Sequence, residues 1–204
     1  MKTEEIVKKL TLDEKAKLLT GVGGDATESN EKYGIKALRC SDGPHGVKSF
    51  GENNTLFPSI CNLSCTWDKE IAREMGSALA DECIANDVTL LLAPGVNIKR
   101  HILGGRNFEY FSEDPVLAGE LASGYVEGLQ EKGVSACLKH YAVNNQEDDR
   151  QVVSVEIDER TLREIYLKAF EIVVKKANPD SIMCSYNKVM EYGVLKMNFC
   201  SRKY

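Results

Sequence analysis

Three short apolar segments, spaced at a nearly constant interval, constrain the fold of this chain more than any other feature of its sequence. They cover residues 88–93, 134–138 and 181–184, and they recur about every 46 residues. A helical pattern separates each pair, so the segments are predicted to be strands of a parallel sheet joined by helical crossovers. The carboxyl ends of such strands lie at one edge of the sheet, where parallel α/β folds bind their ligands.

Capping residues mark the predicted helix boundaries. Thr11 and Glu14 have the spacing of a capping box, which predicts that the N-terminal segment is an amphipathic helix. Asp114 and Pro115 are typical of an N-cap followed by the first helical residue, and this helix is expected to end near Gly133.

A further helix is predicted between Asp158, as its N-cap, and the Asn-Pro pair at residues 178–179. Its apolar residues recur at helical spacing and are expected to form one buried face, made of Leu162, Ile165, Tyr166, Ala169, Phe170 and Val173. Trp67 lies at another predicted helix start and is expected to belong to the core.

The composition is that of a globular protein with one core, since 43% of the 204 residues are hydrophobic and 28% are charged. The net charge of −5, with acids and bases intermixed, argues against nucleic acid as a partner. No apolar run reaches the roughly 18 residues of a membrane span, and the N-terminus lacks the apolar core of a signal peptide. The seven cysteines contain no CxxC pair, so we expect reduced thiols in a cytoplasmic protein.

The motifs of several common α/β enzymes are missing. The chain has no GxGxxG after a strand, no P-loop, no GxSxG and no HExxH. A (β/α)8 barrel fits the long repeating units and the polar strand ends, but such barrels typically need about 250 residues. The expected fold class is therefore α/β, as an incomplete N-terminal part of a TIM-type barrel.

Two turn-rich motifs carry candidate ligand-binding side chains. In SDGPHGVK, residues 41–48, Asp42 can bond the backbone amides of its own turn or accept hydrogen bonds from two ligand hydroxyls. In GGRNFEYFSEDP, residues 104–115, Arg106 can pair with Glu109 or Asp114, or it can direct its guanidinium toward hydroxyls or a carboxylate. Taken singly, both motifs leave these alternatives open.

Polar residues also follow the later predicted strands. Lys139 and His140 come directly after the second strand, and Tyr186 lies in the Ser-Tyr-Asn that follows the third. Each group is compatible with ordinary hydrogen bonding at a strand end as well as with a ligand site.

The order of the motifs along the chain is more informative than any one of them. The order is TLDEKAKLLTG, SDGPHGVK, FPSICNLSCTWD, LLAPGVNIKR, GRNFEYFSEDP, LKHYAVNNQEDDR, DERTLREIYLKAFE and MCSYNKV. This series resembles the N-terminal part of family 3 glycoside hydrolases over residues 1 to about 189. The β-N-acetylglucosaminidase branch of that family has Pro-Gly-His-Gly after Lys-His, whereas residues 142–147 here are AVNNQE, which favours the β-glucosidase branch.

The resemblance implies a retaining β-glucosidase whose substrate is a β-glucoside or a short β-linked oligosaccharide. Asp42, Arg106, Lys139, His140 and Tyr186 match the family residues that bind the hydroxyls of the terminal sugar. No metal or organic cofactor is implied. Neither catalytic carboxylate is expected here, because the Ser-Asp-Trp stretch of the family nucleophile is missing and the acid/base belongs to a later domain.

After Val189 the sequence departs from the family pattern, which continues with a turn like Asn-Gly-Glu-Tyr. Residues 190–204, MEYGVLKMNFCSRKY, match nothing in the family, but their codons read one base earlier can spell Asn-Gly, Trp and Asp-Glu-Leu-Leu. We expect a partial barrel domain over 1–189 and an aberrant, frameshifted tail over 190–204. The chain is then a β-glucosidase fragment missing its C-terminal portion, a non-catalytic carbohydrate-binding fragment, or one half of a split enzyme.

Overall fold

In the computed structural model, which describes residues 3–48 and 54–193, a parallel sheet covered by helices carries the fold. The strands are β1 Gly21–Val22, β2 Ala26–Thr27, β3 Cys40–Ser41, β4 Leu90–Leu91, β5 Ser135–Tyr141, β6 Ser154–Val155, β7 Ser181–Cys184, β8 Lys188–Val189 and β9 Tyr192–Gly193. The α-helices are α1 Thr3–Lys9, α2 Leu12–Leu19, α3 Ile60–Ser64, α4 Lys69–Ala85, α5 Pro115–Glu131, α6 Glu159–Thr161 and α7 Lys168–Ala177, with a π-helical turn, Leu162–Tyr166, between the last two.

The main sheet has the strand order β3-β4-β5-β7, and every neighbouring pair in it is parallel. Helices α3 and α4 connect β3 to β4, α5 connects β4 to β5, and α6 and α7 connect β5 to β7. This alternation is that of the first half of a (β/α)8 barrel, so the expected α/β class and partial barrel are confirmed. All three predicted strands are present, whereas β3 was not predicted.

The core lies between this sheet and the helices α4, α5 and α7, which pack side by side. Glycines bring α4 and α5 unusually close together. A Cβ atom on Gly128 would lie 2.0 Å from the carbonyl oxygen of Arg73, and one on Gly76 would lie 2.2 Å from that of Tyr125. Because no side chain fits at these points, the two helices cross with their backbones nearly in contact.

The predicted helix caps are present. Thr11 and Glu14 form a reciprocal capping box at the start of α2. Asp114 accepts a hydrogen bond from the Leu117 amide ahead of α5, and Asp158 caps α6. Among the helices of residues 3–48 and 54–193, none combines the length and the apolarity needed to cross a membrane.

Two predictions about buried apolar residues are wrong. Ile165 is 39% exposed and Leu167 is buried in its place, because the π-helical turn winds more widely than an α-helix and rotates the later residues. Trp67 is 77% exposed, not part of the core. It lies in the tight turn between α3 and α4, with φ of 56°, outside the face of α4 that packs inward.

The loop after β3 is held in one conformation by local contacts. The Tyr125 hydroxyl donates a 2.8 Å hydrogen bond to the Pro44 carbonyl, and Ser41 Oγ donates to the Lys48 carbonyl at 2.8 Å. Gly43 has φ of 135°, and a Cβ there would lie 1.8 Å from the Gly46 carbonyl oxygen, so the turn requires glycine. The loop therefore presents Asp42 at a fixed place on the sheet edge.

A second, three-stranded sheet contains the hairpin of β8 and β9, beside β6. Its two-residue turn consists of Met190 and Glu191, with φ of 48° and 64°. Such a turn, with both central residues left-handed, is of the type that strongly prefers Asn-Gly. Residues 194–204 of the predicted aberrant tail lie outside the described residues.

The double variant Met190→Asn with Glu191→Gly is expected to raise the free energy of unfolding of this chain by about 1–2 kcal/mol. Other L residues lose roughly 1–2 kcal/mol each at left-handed φ, and asparagine with glycine recovers about half of this total, since asparagine keeps part of the steric cost and glycine loses more backbone entropy on folding. Urea denaturation measures the difference. The control Met190→Ala with Glu191→Ala should bring no such gain, and an Asn-Gly variant that is no more stable than the parent would contradict the turn assignment.

Candidate functional site

The polar residues that follow the four strands of the main sheet lie at its carboxyl edge. Asp42 follows β3, Asn97 follows β4, and Tyr186 follows β7. Lys139 and His140 lie near the end of β5, and the peptide bond between them is cis. The sheet thus brings together segments that are far apart in the sequence.

A buried carboxylate, Glu109, lies at the centre of this edge. One of its oxygens, Oε1, accepts a hydrogen bond from Arg106 Nε, and the other, Oε2, lies 3.4 Å from Lys139 Nζ. Lys139 is 3% exposed and Glu109 is 4% exposed. Of the two acids proposed as partners of Arg106, Glu109 is the one that pairs with it, while Asp114 caps α5.

His140 is buried beside this cluster and is held mainly by Asn97. The Asn97 side chain donates to the His140 carbonyl at 2.9 Å and accepts from the His140 amide at 2.9 Å. The His140 ring places Nδ1 3.1 Å from the Tyr110 hydroxyl and 3.3 Å from Asn97 Oδ1. Because both contacts use Nδ1, Nε2 is the ring nitrogen that remains for a ligand.

A chain of hydrogen bonds that ends in a cation–π contact joins this histidine site to Tyr186. Asn144 Nδ2 donates to the Tyr110 hydroxyl at 3.3 Å and to Glu147 Oε1 at 3.1 Å. Glu147 in turn accepts from Arg150 Nη1 at 2.8 Å, and the Arg150 guanidinium lies 5.5 Å from the centre of the Tyr186 ring. Tyr186 itself is 66% exposed, so it stands at the rim.

Asp42 completes the set of predicted site residues. Its carboxylate is exposed but close enough to Lys139 for its charge to raise the pKa of that amine. An edge-to-face contact between the rings of His45 and Phe108, 5.8 Å apart, joins the loop that carries Asp42 to the loop that carries Arg106.

Burial dominates the electrostatics of the two adjacent basic residues. It lowers the pKa of Lys139, an effect to which Arg106 adds and which Glu109 and Asp42 oppose. Burial, together with the charges of Arg106, Lys139 and Arg150, lowers the pKa of His140 to about 2. His140 is therefore neutral at pH 7 and available as a hydrogen-bonding group rather than a cation.

The structure brings the five predicted side chains to one sheet edge, where several residues that sequence reasoning did not single out hold them. Asn97, Tyr110 and Asn144 were not predicted to belong to the site, and Glu109 was considered as a pairing partner of Arg106 alone. A signal existed for Asn97, which lies four residues after the predicted strand at residues 88–93. None existed for Tyr110, because it is one of three aromatic residues in FEYF, residues 108–111, and aromatic residues are typical of core positions.

Acid is expected to destabilise the chain through His140. Its folded pKa of about 2 lies below the unfolded value of roughly 6.5, so the unfolded state takes up a proton first. The free energy of unfolding should fall below pH 6.5, by up to about 1.4 kcal/mol per pH unit from this residue. Urea denaturation between pH 7 and pH 4.5 should show that the free energy of unfolding of His140→Asn falls less steeply with decreasing pH than that of the parent. His101→Asn, at an exposed histidine, is the control, and equal slopes for His140→Asn and the parent would contradict this assignment.

The chain matches a family model, that of the glycosyl hydrolase family 3 N-terminal domain, over residues 11–193. It is 50% identical over 197 residues to thermostable beta-glucosidase B of Acetivibrio thermocellus, a match that covers 91% of this chain and 26% of the relative. It is 51% identical to an exo-alpha-(1->6)-L-arabinopyranosidase of Bifidobacterium longum, with coverage of 90% and 26%.

Solved structures give the same result. Beta-glucosidase 3B from Thermotoga neapolitana in complex with glucose superposes with a TM-score of 0.88 at 44% identity, over 93% of this chain and 30% of that one. Beta-glucosidase from Kluyveromyces marxianus in complex with glucose gives a TM-score of 0.91 at 41% sequence identity, and the match covers 94% of this chain and 24% of that one. The chain spans about a quarter of the length of the curated relatives cited above. The resemblance inferred from the motif series is confirmed, and the chain belongs to glycosyl hydrolase family 3, as part of its N-terminal domain.

Proposed function

We propose that this chain is the sugar-binding first part of a β-glucosidase that removes terminal non-reducing β-D-glucosyl residues with retention of configuration. The similarity to proteins named β-glucosidases, two of them solved with glucose, supports this assignment. The substrate is then a β-glucoside or a short β-linked oligosaccharide, and the enzyme serves carbohydrate metabolism.

The convergence of the exposed carboxylate of Asp42 and several nitrogen donors at the sheet edge is the observation that carries the proposal. Sugar hydroxyls both donate and accept, so a pocket for them needs an acceptor such as Asp42 beside donors such as Lys139 and Arg106. His140, being neutral, can donate or accept through Nε2, and Tyr186 offers a hydroxyl and a ring face at the rim. Hydrogen bonds that strengthen as the sugar ring distorts would stabilise the transition state.

The chemical steps are assigned to residues outside this chain. A retaining glycosidase needs two carboxyl groups about 5–5.5 Å apart, one to attack the anomeric carbon and one to protonate the leaving oxygen. Glu109 is unsuited to either role, because it is buried and both of its oxygens contact cations. We propose that a C-terminal portion supplies both groups and that the lone 204-residue chain is inactive.

A related activity is the second candidate. The exo-alpha-(1->6)-L-arabinopyranosidase is as similar to this chain as the β-glucosidase is. Parallel assays of the full-length enzyme with nitrophenyl β-D-glucoside and nitrophenyl α-L-arabinopyranoside distinguish the two. A higher kcat/KM for the arabinopyranoside would favour the second activity over the first.

We propose further that the enzyme is cytoplasmic, and that the family domain ends near Val189 with an aberrant tail. The free thiols of the described cysteines, of which Cys83 and Cys137 are buried, support a reducing compartment. Met190 and Glu191 occupy a turn of the type that prefers Asn-Gly, and this supports the frameshift. The nucleotide sequence downstream of the Tyr186 codon tests this, because a family-like continuation in another frame must follow. An unrelated continuation in all frames would overturn it.

In the full-length enzyme, Lys139→Met is expected to lower kcat/KM for nitrophenyl β-glucoside on the order of 100-fold. The substitution keeps the buried volume but removes a charged donor whose hydrogen bond to a hydroxyl contributes about 1.5–3 kcal/mol. Lys36→Met, at an exposed lysine of the same domain, is the matched control and should retain parent kinetics. Parent-like kinetics for Lys139→Met would show that Lys139 does not bind the substrate.

A further inference from the structure

The buried acid Glu109 contacts Arg106 and Lys139, two cations to which the proposed function assigns substrate binding. We propose that Glu109 is a positioning residue: it fixes Arg106 and Lys139 in the orientation that binds sugar hydroxyls, and it does not contact the substrate itself. This inference rests on the proposed glucosidase function, which it deepens by naming a residue that organises the pocket.

The geometry of the carboxylate fits a bridging role. Oε1 binds Arg106 and Oε2 lies 3.4 Å from Lys139 Nζ, so each oxygen serves a different cation. The Glu109 side chain is 6% exposed, which leaves little of it for a ligand to reach. Because the hydrogen bond to Glu109 uses Nε of Arg106, the end of the guanidinium formed by Nη1 and Nη2 can still fork toward hydroxyls.

Glu109 also joins two parts of the chain that approach the pocket separately. It ends the short 3-10 turn Asn107–Glu109, and its amide donates to the Arg106 carbonyl at 3.1 Å. Gly95, just after β4, forms bridges with both Tyr110 and Lys139, so the turn lies against the end of β5. A single carboxylate on this turn can therefore set the position of a donor on its own loop and of a donor on the neighbouring strand.

Glu109 has a second effect through its charge. The charged or titratable groups that face Lys139 are Glu109, Arg106, Asp42, His140 and Cys137. Burial and the charge of Arg106 lower the pKa of Lys139, and Glu109 is the larger of the two anions that oppose this. Without Glu109 the remaining anion, Asp42, is exposed, so the ammonium form of Lys139 would be lost at lower pH.

The variant Glu109→Gln in the full-length enzyme tests both effects, since it keeps the shape of the side chain and removes its charge. We expect kcat/KM for nitrophenyl β-glucoside to fall on the order of 10- to 100-fold. We also expect the pKa of the Lys139 amine to fall, because the charge of Glu109 supports its ammonium form. Glu113→Gln removes an exposed acid four residues later and should leave both unchanged.

Glu109→Asp separates position from charge. It keeps the negative charge but shortens the side chain, so we expect kcat/KM to fall while the pKa of Lys139 stays close to that of the parent. This variant also serves if Glu109→Gln does not fold. A Lys139 pKa that is unchanged in Glu109→Gln, or a parent-like kcat/KM in Glu109→Asp, would overturn the inference, because a purely structural residue would change yield and stability alone.

A readout that does not need activity distinguishes failure of this inference from failure of the proposed function. In the full-length protein labelled with [ε-13C]lysine, the Lys139 signal, assigned through Lys139→Arg, reports the pKa of that amine directly. It should titrate at lower pH in Glu109→Gln than in the parent, and equal titration would contradict the role of Glu109. If the parent enzyme hydrolyses no β-glucoside but the Lys139 shift is present, the glucosidase assignment fails and the positioning of the two cations stands.

Discussion

The parallel pairing of β5 with β4 on one side and with β7 on the other determines where the polar residues that follow these three strands lie. The registers Leu91 with Ala136 and Leu138 with Ile182 align the carboxyl ends of the three strands. The residues that follow them then meet at one edge, although they are separated by more than 40 positions in the sequence. A shift of register by one residue would turn every side chain of β5 to the opposite face, burying Lys139 and His140 in the wrong layer.

Burial at this edge disfavours the charged forms of the basic residues that lie there. Lys139 is buried, Arg106 is partly buried within reach of it, and the charge of Arg106 disfavours that of Lys139. The negative charge of Glu109 compensates the positive charges of both residues. His140 adds no further positive charge, because it remains neutral. The same arrangement makes donors available to a neutral, hydroxyl-rich ligand, which supplies no charge of its own. A pocket built this way suits a sugar better than an anion that would compete with Glu109.

Much of the fold could be predicted from sequence because its signals are local. The three apolar segments and the capping residues Thr11, Asp114 and Asp158 needed no knowledge of distant contacts, and all appear in the structure. What failed depends on tertiary context. The π-helical turn exposes Ile165 and buries Leu167, and strand β3 is too short to have a pattern of its own. The five candidate residues came from a motif series, whereas Glu109, Asn97 and Tyr110 act through contacts that spacing does not reveal.

The most direct test of the central claim, that this strand-end cluster is part of a sugar pocket, is a crystal structure of the full-length protein with glucose bound. The account predicts glucose hydroxyls within about 3.2 Å of the Lys139 amine, the Asp42 carboxylate and the terminal nitrogens of Arg106. Both oxygens of Glu109 should remain on their two cations and away from the sugar. Glucose bound at another place, or in direct contact with Glu109 while Lys139 points elsewhere, would contradict the account.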